Sequence, residues 1–254
     1  MDDYRLLVDL HKRLKRQGPG GDIETQMAID LALIDKAAPL KIADLGCGTG
    51  ASTMYLARSL NASITAVDFL SEFIEVLKRN AENEELGGKI KPMVCSMDDL
   101  RFSEGELDVI WSEGAVYNIG FEKGITYLRP FLKPGGLLVV SEITWTTHNR
   151  PSEIETYWMS EYPEIETASS KTSILEKSGY SPTAYFILPE RCWLDNYYVP
   201  MQRTFSDFLD RHSHSEKAHE IVEAEKKEIA LYKKFKAYYS YGVYIARKRD
   251  ELNI

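Results

Sequence analysis

Cysteine is scarce in this 254-residue chain: Cys47, Cys95 and Cys192 are odd in number and widely separated. A disulfide framework and a CxxC zinc site are both excluded, and a reducing compartment is the expectation. Long apolar runs are missing too, since nothing approaches the roughly 18 uncharged apolar residues that span a bilayer. The opening residues, MDDYRLLVDLHKRLKRQ, mix acids with bases and lack the apolar core of an export signal, so a cytoplasmic location is expected. Basic residues are in deficit, 31 Lys and Arg against 39 Asp and Glu, for a net charge of −8. Phosphate-rich partners require a positive field, which disfavours nucleic acid and anionic membrane as partners. Repeats, low-complexity tracts and Pro/Ser-rich linkers are absent as well, leaving a single domain over 1–254 as the default. What remains is globular composition, 44% apolar and 28% charged.

Through the middle of the chain, short apolar runs alternate with helical spacings. Strands are expected at 41–45, 63–67, 90–96, 107–112, 137–141, 183–188 and 242–247. Helices are expected at 52–59, at 71–84 with Ser71 as N-cap, at 121–132, at 172–178 and at 215–241. Lys133-Pro134-Gly135-Gly136 reads as stop chemistry after the third of these helices. Continuous apolar strands alternating with helices indicate an α/β fold, a parallel sheet covered on both faces. A helical N-terminal layer is expected over 1–35, a Rossmann-like core over 36–188 and 242–249, and an inserted cap segment over 189–241.

The most informative stretch is Asp44-Leu45-Gly46-Cys47-Gly48-Thr49-Gly50. A strand ends, three alternate glycines turn the chain, and a helix begins. Glycine is needed where φ is positive or where a ligand approaches the backbone, and the helix start offers free N–H groups and a positive dipole end. This is a nucleotide-cofactor loop. Asp68, 24 positions after Asp44 at the end of the second strand, is placed to accept both ribose hydroxyls. Gly46-x-Gly48-x-x-Ala51 also satisfies the loose dinucleotide fingerprint, so NAD is weighed. Against it, an acid at Asp44 is poorly placed beside a pyrophosphate and useful beside a cation. The third strand leads to Met97-Asp98-Asp99, an apolar residue and an acid suited to adenine and its amine.

On these residues the sequence resembles the class I S-adenosylmethionine-dependent methyltransferases, in particular the small-molecule group that includes the ubiquinone and menaquinone enzymes. The resemblance covers 38–188 and resumes at 242–248. It implies a seven-stranded, mostly parallel sheet of order 3-2-1-4-5-7-6 with strand seven antiparallel, and a helical cap. It implies S-adenosylmethionine as cofactor. Asp44 would organise the loop and the cofactor's methionine end, Asp68 would hold ribose with Phe69 beside adenine, and Met97 and Asp98 would meet the adenine ring. Gly-Pro-Gly segments in this group fold over the methionine end, which adds Gln17, Gly18 and Gly20 as contacts beyond Gly46, Gly48 and Gly50.

The acceptor is less legible. Methyl transfer from a sulfonium is an in-line displacement that rests on positioning and desolvation, sometimes with a base. Residues after strands four and five supply the candidates Glu113, Tyr117, Asn118, Trp145, His148 and Arg150. The appended segments add Trp158, Arg191, Trp193, Tyr197 and Tyr198. Glu113, as a cofactor or acceptor contact, and Tyr117, Trp145 and His148 are the catalytic candidates, with the aromatics of 185–198 as a lid. No metal is expected, because His212 and His214 lack a third ligand at sensible spacing. Where amino-methylating DNA and glutamine enzymes carry Asn/Asp-Pro-Pro-Tyr/Phe, this chain has Trp111-Ser112-Glu113-Gly114. The expected activity is methyl transfer to a small molecule by a monomer or homodimer. An NAD-dependent oxidoreductase and a non-catalytic S-adenosylmethionine-binding protein are the alternatives.

Overall fold

The structure, a computed structural model, describes residues 3–250. Its strands are β1 (Leu40–Leu45), β2 (Ala62–Asp68), β3 (Ile90–Val94), β4 (Leu107–Glu113), β5 (Leu132–Trp145), β6 (Glu166–Thr167), β7 (Tyr180–Ile187) and β8 (Tyr239–Lys248). They form one sheet in the order β3-β2-β1-β4-β5-β8-β7, with β6 paired to β5 off that path. β1 through β5 pair in parallel, and β8 runs antiparallel to both β5 and β7. The order inferred from the resemblance is therefore present, with one strand more than expected. β6 is two residues long and has no apolar pattern. It pairs with Thr144 and Trp145, beyond the point where β4 ends opposite Ser141.

The helices are α1 (Asp3–His11), α2 (Asp22–Leu31), α3 (Ala51–Ser59), α4 (Ser71–Asn83), α5 (Phe121–Leu128), α6 (Ser152–Glu161), α7 (Ala168–Lys177), α8 (Glu190–Trp193), α9 (Val199–Arg211) and α10 (Glu216–Phe235). One sheet face packs Ile42, Ile64, Val109 and Ile245 against Ile29 of α2, Leu56 of α3 and Leu77 of α4. The other packs Ile110, Leu138 and Val140 against Phe121 and Ile125 of α5 and Leu175 of α7. A third cluster joins Trp145 and Tyr239, at one end of the β5–β8 pair, to α1, α6, α9 and α10. The two N-terminal helices thus separate: α2 covers the sheet, and α1 belongs to the helical cap.

Three local expectations are corrected. Ser71 is the first helical residue of α4, not its N-cap; Leu70 stands there, and its amide donates to Asp68 Oδ1 at 2.9 Å. The helix expected at 121–132 stops at Leu128, and a 3-10 turn, Arg129–Phe131, follows with Pro130 in it. The Lys-Pro-Gly-Gly run is then a bulge inside β5, where the register passes from Leu107↔Leu132 to Val109↔Leu137. Pro and Gly are tolerated in a strand at such an irregularity.

Candidate cofactor and acceptor site

The loop after β1 has φ +68 at Gly46, +56 at Gly48 and +94 at Gly50, which side-chain-bearing residues rarely adopt. A Cβ at these positions would stand 2.2 Å from Ala115 Cβ, Gln17 Oε1 and Leu77 Cδ1 respectively. The glycines are required by the protein's own packing. The loop amides are also spent internally, contrary to the expectation of free N–H groups there. Those of Gly46 and Cys47 donate to Val67 O, Gly48 to Asp68 Oδ2, Thr49 to Gln17 Oε1 and Gly50 to Cys47 O.

Beside this loop lies a cavity of about 540 Å³. Gly46, Gly48, Ala51 and Ser52 form its floor, and Asp68, Phe69, Met97 and Asp98 form one wall. Arg16, Gln17, Gly18 and Pro19 form a strap along it. Asp68 keeps one backbone donor on each oxygen, Gly48 at 2.8 Å and Leu70 at 2.9 Å, which fixes the carboxylate and leaves a further lone pair on each for a diol. Burial raises its pKa against the pull of those amides. Phe69 presents a face 67% exposed. Asp98 lines the cavity, whereas Asp99 lies outside it beside Arg101.

Asp44 sits behind the floor, fully buried. Its Oδ2 accepts the hydroxyls of Thr53 at 2.6 Å and Ser52 at 3.0 Å, and its Oδ1 has no partner. Burial, reinforced by Glu113 and opposed by Thr53, pushes this carboxyl up to about 7. Asp44 thus reaches the cavity only through its hydrogen bond with Ser52, which does line it. Gly50, the N-cap of α3, also stands back from it.

Glu113, at the end of β4, is a fastened carboxylate. Oε2 accepts from Arg16 Nη1 at 2.8 Å, and Oε1 from the Thr25 hydroxyl and the Trp111 indole, both at 3.0 Å. Three donors leave it little role as a free base and make it the anchor of the strap. Gln17 likewise spends its carboxamide on His11 O, Leu14 O and both polar groups of Thr49. Gly20 is outside the cavity, and its carbonyl accepts from Asn196 at 2.7 Å.

At the far end stand Gly114, Tyr117, Asn118 and Tyr241. The other acceptor candidates are not brought there. Trp145 is buried under the Arg150 guanidinium, 4.3 Å from its ring centroid, and His148 is exposed on the loop after β5. Trp193 stacks on Tyr232 at 4.4 Å and donates to the Ser240 hydroxyl, while Tyr197 and Tyr198 pack beside it. Arg191 pairs with Glu24, and Trp158 packs on Tyr239. The segment expected to be a lid is mostly core. Tyr4, Arg16, Ser52 and Tyr241 line the cavity without having been singled out by sequence. Arg16 stands next to the Gln17–Gly20 run, the one available signal; Tyr241 arrives by sheet pairing alone.

Residues 42–136 match the family described as methyltransferase domain. A ubiquinone/menaquinone biosynthesis C-methyltransferase of Geotalea daltonii is 28% identical over 107 residues, 41% of this chain and 46% of that protein. The chain spans about half the length, or less, of the first curated relatives it matches. Among solved structures, a methyltransferase of Geobacter sulfurreducens in complex with S-adenosyl-L-homocysteine is similar with TM-score 0.84 and 18% identity, over 96% of this chain and 98% of that one. A 4+2 cyclase is similar with TM-score 0.74 and 18% identity, over 91% and 81%.

Proposed function

We propose, from the class I S-adenosylmethionine-dependent methyltransferase domain that this chain carries, that the protein moves a methyl group from S-adenosylmethionine to a small-molecule acceptor. The observation that carries the reading is the cavity itself. A pre-set ribose acceptor at Asp68, an adenine wall at Phe69, Met97 and Asp98, and a strap anchored on Glu113 line one continuous space. The orphan Oδ1 of Asp44 and the hydroxyl of Ser52 fit a polar, positively charged ligand end above the glycine loop. The fully buried Asp44 and the half-buried Glu113 at that end disfavour a pyrophosphate, and with it the NAD alternative.

When bound, the cofactor supplies an activated methyl group on sulfur. The chain's own work is to hold the ligand and exclude water. Asp68 fixes the ribose, Phe69 and Met97 cover the base, and the Arg16–Pro19 strap closes over the loop. Tyr117, Asn118 and Tyr241 then orient an acceptor at the open end. No helix among the described residues is long and apolar enough to cross a membrane. The acidic balance supports a free small acceptor over nucleic acid.

The likeness to a cyclase favours a second reading, in which the cofactor is held and the chemistry occurs on another ligand. The test is calorimetry with S-adenosylmethionine and S-adenosylhomocysteine, followed by incubation with methyl-labelled cofactor and a metabolite extract. Micromolar binding with a labelled product supports transfer. Binding without any labelled product supports the second reading.

A further inference from the structure

The cavity runs across the ends of most of the strands. Its lining comes from residues 95–98 after β3, Asp68 at the end of β2, the glycine loop after β1, residues 113–119 at and after the end of β4, and Tyr241 of β8. Neighbouring strands lie about 4.8 Å apart, so the four steps from β2 to β8 set the strand of Tyr241 roughly 19 Å from that of Asp68. Charge is confined to the near part. Arg16, Asp68, Asp98 and Glu113 are the charged residues that line the cavity among those described, and Arg16 and Glu113 pair with each other at 2.8 Å. Beyond Glu113 the wall is made by Gly114, Ala115, Tyr117, Asn118, Ile119 and Tyr241, none of them charged.

Two neutral groups in that wall are left to a ligand. Glu113 pairs with Ser141 and Tyr241 with Ile143, two positions along β5, so both side chains project from the same sheet face. The Tyr241 ring is held from two sides. A Cβ added at Gly114 would stand 3.4 Å from its Cε1 and 3.5 Å from its hydroxyl oxygen, and the Trp193 ring backs it with centroids 5.4 Å apart. Its hydroxyl has no hydrogen-bond partner among the described residues and is not sealed off, so it opens on the cavity it lines. Asn118 spends its Nδ2 on Ala115 O at 2.9 Å and keeps Oδ1. Next to it the Tyr117 ring meets Tyr162 edge-on and is otherwise 41% exposed, an apolar surface. An ion brought to this wall loses hydration with no opposite charge in return, whereas a neutral polar group exchanges water for the phenol and the carboxamide.

We propose that this end of the cavity is a subsite for an uncharged molecule carrying a hydroxyl or a carboxamide, with Tyr241 as its specificity-determining residue. The Tyr241 phenol donates to the ligand's oxygen, and the ligand's own O–H or N–H donates to Asn118 Oδ1. The apolar body of the ligand lies against Ala115, Ile119 and the Tyr117 ring. The inference rests on the transferase reading and deepens it, since it selects neutral acceptors over ammonium ions and carboxylates.

The test titrates matched probes into protein saturated with S-adenosylhomocysteine and follows binding by ligand-observed NMR. The probes are benzyl alcohol, benzamide, benzylamine and benzoate, then hexanol, hexanamide, hexylamine and hexanoate. In at least one set the alcohol or the amide is expected to bind at least fivefold tighter than both charged members. Tyr241→Phe is expected to weaken that neutral probe at least threefold and S-adenosylhomocysteine less than twofold, a split that a merely structural role would not give. Asn118→Ala, on the exposed turn after β4, is expected to weaken the same probe at least twofold if the first variant fails to fold. A preference below fivefold in both sets, binding of no probe, or unchanged affinity for the neutral probe in the folded variant overturns the proposal. Failure of the transferase reading shows separately, as absent S-adenosylhomocysteine binding before any probe is added; the same ranking on the free protein then decides the subsite.

Discussion

The Gln17 carboxamide grips Thr49 twice, accepting its backbone N–H at 2.8 Å and donating to its hydroxyl at 3.0 Å. A residue of the N-terminal strap thereby closes the hydrogen bonding of the glycine loop 32 residues away. Because Gln17 Oε1 occupies the space of a Gly48 Cβ, loop and strap define each other's shape. Gln17→Ala orphans the Thr49 amide, at a cost of about 1–3 kcal/mol. The expected result is faster hydrogen exchange at residues 14–22 and about tenfold faster release of S-adenosylhomocysteine. Unchanged exchange and release would reduce the strap to a linker.

The ribose and adenine ends separate by single substitutions. Asp68→Ala removes a charged acceptor and is expected to weaken cofactor binding by about 1.5–3 kcal/mol. Asp98→Ala is expected to weaken it less, and Asp99→Ala hardly at all, since Asp99 lies outside the cavity lining. Calorimetry across the three variants checks the order, and a larger loss at Asp99 than at Asp98 would shift the adenine contact by one residue.

Trp193 tests whether the 185–198 aromatics are core. Its ring stacks on Tyr232, its N–H is satisfied by Ser240, and it meets the cavity only by backing the Tyr241 ring at 5.4 Å. Trp193→Ala is expected to destabilise by about 3–5 kcal/mol, as for deletion of a buried aromatic. Denaturant melts should show that loss, with cofactor affinity little changed at temperatures where the variant is folded. Wild-type stability with lost turnover would return Trp193 to the acceptor site.

Asp44 carries a pH signature. Its folded carboxyl is raised to about 7 from 3.8, so between those values the folded state binds more protons than the unfolded one. The stabilisation is complete below about pH 4 and is lost as pH rises through about 7. Asp44→Asn, which keeps an acceptor for Thr53, should flatten that part of the apo-protein's stability curve. Asp9 is lowered by Lys12, His212 and Arg211 despite partial burial, so its window lies below pH 4. Glu142, which burial also raises to about 7, shares the range but contributes to both curves, so the difference between them reads Asp44. Parallel curves for wild type and variant from pH 5 to 8 would contradict the assignment.

The strands were legible because glycine stops and β-branched runs are local features; their order across the sheet came only from the family resemblance. Asp68, Met97 and Asp98 were legible as cavity-lining residues, since they follow strand ends where the chain leaves the sheet. The strap's role was half legible: its glycines stood out, but the pairing of Arg16 with Glu113 spans 97 residues and leaves no periodic trace. The acceptor end was least legible. Trp193 and Tyr198 carry the same letters as pocket aromatics, and only packing against Tyr232 and Tyr239 assigns them to core. Glu142 lies within an apolar strand pattern, and its burial beside Lys171 is a property of what the fold places around it.

Calorimetric titration of the purified protein with S-adenosylmethionine, followed by transfer of its labelled methyl group in a metabolite extract, decides whether the cavity is a methyl-transfer site. Micromolar, one-to-one binding that Asp68→Ala weakens is expected, together with a labelled small-molecule product. Absence of binding by the wild-type protein, or binding indifferent to Asp68, would contradict it.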